Sequence, residues 1–286
     1  MENRFLQLVP LVFFTVMAIA AAGLMIGIAG MLPAGIIWPG IGRDYLLTLA
    51  LAGMGIVISF LHLGKRERFL RAAVGIKHSW LSREVIAAVV FFVSTGCGYI
   101  FIKTGQAALS DLAAAAAFIA AVYMTWTIGM VYNIPGRFTW EGFPNTAAPL
   151  VIALLLGSHR LIIISGSRKS LFEWLFFLMW LVDFLLALSR AKVFRSRMEN
   201  KYTFMFPHLL FPTRAGHMAR LVLSFAMMTM AIFSWSSPIL FMISGNIILD
   251  RLCFYVGAVE LSPKSEMASR KAERMKEAKA QRANYK

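Results

Sequence analysis

Apolar residues in this chain neither alternate nor keep to one helical stripe; they run on in blocks. Eight blocks, at 8–32, 45–63, 85–103, 112–134, 146–165, 171–189, 219–235 and 238–259, are almost free of charge. Each approaches the roughly 20 residues a helix needs to cross the hydrocarbon core of a bilayer. Lipid supplies no hydrogen-bond partner, so a spanning segment must satisfy its own amides, which selects helices. The pattern predicts an all-α membrane protein, a bundle of about eight transmembrane helices. Residues 1–263 form its membrane domain and 264–286 a basic polar tail. The first block is longer than a signal-peptide core and lacks a strongly basic start, so it reads as a retained helix. Hydrophobic residues make up 59% and charged residues 15%, with a mean hydropathy of +0.68, which excludes an ordinary soluble domain.

The charges are shared unevenly. Lys and Arg number 29 against 14 Asp and Glu. With eight spans, both termini and the even-numbered connections fall on one side. That side holds Arg4, Lys65, Arg66, Arg68, Arg71, Lys77 and Arg83, then Arg137, Arg190, Lys192, Arg195, Arg197, Lys201, Arg214 and Arg220, and the eight cations of the tail. The opposite side has Arg43, Lys103, Arg168 and Lys169, with Arg160 if it reaches the surface. The positive-inside rule turns the crowded side to the cytoplasm and makes this a multi-pass protein of the inner (cytoplasmic) membrane. The basic tail suits anionic lipid headgroups or a protein partner. Nothing in the sequence forms a nucleic-acid recognition module.

One connection stands apart: LHLGKRERFLRAAVGIKHSWLSRE, residues 61–84. His62 ends the second block and Glu84 opens the third, just after Ser82, an expected N-cap. Each suits its helix terminus electrostatically, so simple end decoration is the competing reading. Consecutive helices joined by a moderate connection tend to pack as neighbours, which brings both groups to one membrane depth. There, an imidazole with an ordinary pKa of ~6.5 can accept one proton and a carboxylate partly withdrawn from water can relay another. Quinol oxidation releases two protons of this kind.

Other candidates are weaker. Cys97 and Cys253 lie in different spans and read as core thiols, with no metal-ligand spacing. Nothing resembles a phosphate-cradling loop, a zinc pattern or a nucleophile elbow, so no catalytic domain of its own is expected. A membrane haem needs two facing histidines at matching depth. His78, His208 and His217 fall in connections, and His62 and His159 fall on opposite sides, so no haem is expected. Asp183, Asp250 and Arg251 lie within spans, where an unpaired charge costs roughly 2.5–3.5 kcal/mol. A structural pairing, for instance Asp183 with Arg160, is favoured over a proton path. Intramembrane charge and the interrupted stretch Asn133-Ile134-Pro135-Gly136 also suit a small secondary transporter. No inverted repeat accompanies them, and the polar residues gather at one interface.

The stretch SFLHLGKRERFLRAAVGIKHSWLSREV, residues 59–85, resembles the DmsC family, the membrane anchor subunits of anaerobic dimethyl sulfoxide reductases. Weaker similarity lies in VYNIPGRFTWEGFPNTAAPLVIALLLG (131–157) and LDRLCFYVGAV (249–259). The resemblance implies a haem-free anchor that oxidises menaquinol to menaquinone and passes the electrons to an iron–sulfur subunit. Together with a molybdopterin catalytic subunit these would form a heterotrimer, with the iron–sulfur clusters and molybdopterin held in the partners. It places the quinol site on His62 and Glu84, with Gly64, Arg68, Trp80 and Arg83 as further contacts and no metal bound by this subunit. In the best-known arrangement of that family the quinol site faces outward, whereas the charge bias here points it inward.

Overall fold

The computed structural model describes residues 2–32, 35, 37–62, 75–133, 140, 142–165, 169–195, 207–232 and 236–256. Within them eight helices follow one another: α1 (Glu2–Met31), α2 (Ile41–His62), α3 (Trp80–Lys103), α4 (Ala107–Val131), α5 (Phe143–Ser165), α6 (Lys169–Phe194), α7 (Pro207–Ile232) and α8 (Ser236–Val256). Seven are long and apolar enough to cross a membrane. The exception, α7, carries Arg214, His217 and Arg220. The protein is a multi-pass helical membrane protein, as its apolar blocks predict.

Helices α1 and α5 bury most of their length and form the centre, whereas α3 and α6 turn most of theirs outward. Around α1 stand α2, α4, α5 and α8, while α6 and α7 close the other side against α5 and α8. The central crossing rests on glycine. A Cβ at Gly23 would stand 2.7 Å from that of Leu156, and one at Gly27 2.7 Å from that of Arg160. On the facing helix, a Cβ at Gly157 would stand 2.8 Å from that of Ile26. Real Cβ atoms do not approach so closely, so bare backbone is what lets α1 and α5 meet, where lipid gives no hydrophobic drive for association. Ile19, Met25, Ile28, Ile152 and Leu155 fill the core around this crossing, with Phe91 and Ile128 from α3 and α4.

Several helices begin earlier or run further than their apolar blocks. Ser79, not Ser82, caps α3, its Oγ accepting from the Ser82 backbone N–H at 3.3 Å. Helix α6 continues through Arg190, and α7 begins at Pro207, so both His208 and His217 lie in a helix rather than in a connection. Around Arg190 and Arg220 the sequence is polar yet helical because these two charges find partners inside the bundle, a pairing hydropathy does not register.

Candidate functional site

The chemistry collects at one end of the bundle. Leu11 and Phe14 of α1, Ile56 and Ser59 near the end of α2, Leu81, Glu84, Val85, Ala88 and Val89 of α3, and Tyr132 just past α4 line a cleft with about 560 Å³ of empty volume. Its walls are apolar except for Glu84, Ser59 and Tyr132. Glu84 is 3% exposed. Among the described residues no hydrogen bond or ion pair holds its carboxyl, and burial is the only influence on it that stands out. The Ser79 cap explains this position: it starts the helix at Trp80 and carries Glu84 into the second turn, three residues deeper than a cap at Ser82 would place it. End decoration would leave a carboxylate in water, and this one is buried.

Of the other residues expected at the site, Arg83 and Trp80 meet each other, the guanidinium lying 4.3 Å from the indole centroid. Arg83 also donates to the carbonyls of Ile76 at 2.9 Å and Lys77 at 3.1 Å, bracing the turn that enters α3. Neither side chain lines the cleft. His62 closes α2 three residues beyond Ser59, but its side chain, together with Gly64 and Arg68, lies outside the described residues.

Behind Tyr132 stands an aromatic clasp absent from the expected site. Trp140, Phe254 and Tyr255 present their rings to Tyr132 edge-on at centroid distances of 5.3, 5.5 and 5.3 Å. Trp140 stacks on Phe254 and donates its indole N–H to the Phe254 carbonyl at 2.8 Å, tying the α4–α5 connection to the end of α8. The hint in sequence was two aromatic stretches far apart, and only the fold joins them.

Beyond the clasp lies a buried ion network. Asp250 contacts Arg190, Arg220 and its neighbour Arg251. Arg220 reaches Asp183 at 2.6 Å, and Asn246 bridges the two, accepting from Arg220 Nε at 3.0 Å and donating to Asp183 at 2.8 Å. Arg251 lies over the Phe254 ring at 5.0 Å, so network and clasp share a residue. The structural reading of these charges holds, with different partners. Arg160 pairs not with Asp183 but with Asp44, at 2.5 Å, at the opposite end of the bundle, where Trp38 also donates to Asp44 at 2.7 Å. His217, also buried, packs on Phe194 beside this network. Among the described residues no three His, Cys, Asp or Glu side chains group in a way that could hold a metal ion.

A helical membrane bundle with a buried carboxyl in an apolar interfacial cleft is the class that geometry defines. Residues 1–200 match the DMSO reductase anchor subunit (DmsC) family, and the chain belongs to that family. It is 29% identical over 159 residues to YnfH, an anaerobic dimethyl sulfoxide reductase component of Escherichia coli K12, covering 52% of this protein and 54% of that one. It is 26% identical over 178 residues to the C component of the anaerobic dimethyl sulfoxide reductase of Haemophilus influenzae, covering 58% of this protein and 63% of the relative. The match thus spans between half and two thirds of the length of these relatives. Every residue lining the cleft falls within the matched 1–200, whereas Arg220, Asp250 and the clasp residues of α8 lie beyond it.

Proposed function

We propose that this protein is a haem-free anchor and quinol-oxidising subunit of a dimethyl sulfoxide reductase-type complex, seated in the inner membrane for anaerobic respiration. One observation carries the reading: Glu84 is buried, unpaired among the described residues, in the wall of an apolar cleft at the bundle's end. An apolar cleft with a few convergent polar groups suits a lipid-soluble ring bearing two oxygens. Menaquinol fits that description. Its oxidation breaks two O–H bonds and yields quinone, two protons and two electrons. Glu84 takes one proton and His62, at the end of α2, the other. The electrons leave for the nearest cluster of an iron–sulfur partner docked over the basic 61–84 connection. That partner relays them to a molybdopterin subunit, the third member of a heterotrimer, where the terminal acceptor is reduced. Gly64, Arg68, Trp80 and Arg83 shape or brace the same entrance.

Quenching of a fluorescent hydroxyquinoline N-oxide, a quinol analogue, tests this in membranes containing the complex. Wild type should bind at micromolar concentration or tighter, and Glu84→Gln or His62→Ala should each weaken binding at least tenfold while insertion is unchanged. Absence of binding by the wild-type complex would sink the quinol reading.

A further inference from the structure

Besides Glu84 of α3 and Ser59 of α2, the cleft has a third polar contributor from elsewhere in the sequence. Tyr132 reaches it from the end of α4. Its ring is fixed on three sides by the edge-on contacts of Trp140, Phe254 and Tyr255, so its hydroxyl is presented from a rigid mount. The Tyr255 hydroxyl, on a residue 1% exposed, has no hydrogen-bond partner among the described residues. Thr15 spends its own proton on the carbonyls of Leu11 and Val12, at 3.0 and 3.1 Å, leaving only its oxygen as an acceptor. A buried phenol without a partner is unusual in a settled core. Tyr132 stands between that phenol and the cleft, the one member of the clasp among the residues lining it.

We propose that Tyr132 is a direct hydrogen-bonding contact for an oxygen of the ligand in this cleft, and that Trp140, Phe254 and Tyr255 are its positioning residues. The inference deepens the quinol reading and rests on it. It makes the site a product of both halves of the sequence, with the carboxyl from α3 and the phenol held by α8. Tyrosine suits the role because its O–H can donate to a quinone carbonyl and its oxygen can accept from a quinol O–H.

The test compares two probes on the assembled complex in native membranes: a 2-alkyl-4-hydroxyquinoline N-oxide, which bears oxygens, and a 2-alkylnaphthalene, which bears none. Tyr132→Phe keeps the ring and its edge contacts. It should weaken the N-oxide about 5- to 10-fold, the worth of one hydrogen bond, and leave the naphthalene unchanged. Equal binding of the N-oxide by Tyr132→Phe and wild type would overturn the proposal. Parallel loss of both probes would also overturn it, assigning Tyr132 to packing alone. If wild type binds the naphthalene but ignores the N-oxide, the quinol reading itself fails, and that outcome is distinguishable from the other two.

Discussion

Asp250 answers to three guanidiniums, and that asymmetry sorts the consequences of substitution. The buried set contains Arg190, Arg220 and Arg251 against Asp183 and Asp250. Removing one partner of a buried pair leaves an uncompensated charge and costs about 3–5 kcal/mol. Asp250→Asn would leave three cations facing one carboxylate, so it should fall in that range and lower the melting temperature in detergent sharply. Arg190→Met leaves Asp250 still held by Arg220 and Arg251 and balances the remaining charges. It should therefore cost clearly less than Asp250→Asn. A thermal-shift comparison decides between them, and equal losses would mean the network is not one electrostatic unit. In sequence Asp183, Asp250 and Arg251 stood out as intramembrane charges. Their partners did not, because Arg190 and Arg220 sat among basic residues that read as loop. Glu84 was legible as chemistry, but its depth was not, since that depends on whether Ser79 or Ser82 caps α3.

At the scale of helices, the crossing of α1 and α5 places the cleft, because α1 supplies Leu11 and Phe14 to its wall. The crossing tolerates no side chain at Gly157, where an added Cβ meets Ile26 and the carbonyl of Gly23, 3.1 Å away. Gly157→Leu should push the helices apart at a cost of at least about 1–3 kcal/mol, the usual range for overpacking. Fluorescence-detected size exclusion should then show loss of the monodisperse peak. Gly53→Ala is the control: its nearest neighbour, Phe92 Cε2, stands at an ordinary 3.5 Å, so this variant should behave as wild type. Loss of the peak in both variants would assign the effect to glycine as such. Hydrophobic blocks revealed these helices and roughly their lengths, because a membrane forces every span to be helical. They carried no information on which helices touch. That depends on the glycine spacing of α1 and α5 and on long-range ties such as Trp140 to Phe254.

For the molecule as a whole, the open matter is which face of the membrane the cleft adjoins. The buried network removes Arg190 and Arg220 from the count of loop cations, since both are paired inside the bundle. The cleft end still keeps the six cations of 61–84 and the exposed Lys192, Arg195 and Arg214. At the opposite end Arg43 and Lys103 are exposed and the sequence adds Arg168 and Lys169, while Arg160 is neutralised by Asp44. Retention of short basic connections on the cytoplasmic side therefore still favours a cleft facing the cytoplasm. Single cysteines settle the orientation in a variant whose native Cys97 and Cys253 are replaced. His78→Cys lies in the exposed turn before α3, at the cleft end, and Gln106→Cys in the exposed connection between α3 and α4, at the other. A membrane-impermeant maleimide added to intact cells should label Gln106→Cys and reach His78→Cys only after permeabilisation. The reverse pattern would turn the cleft outward and make the basic connection a docking surface for exported partners. The positive charges would then be read by an acidic subunit rather than by the insertion machinery, and the chemistry proposed for Glu84 would be unaffected.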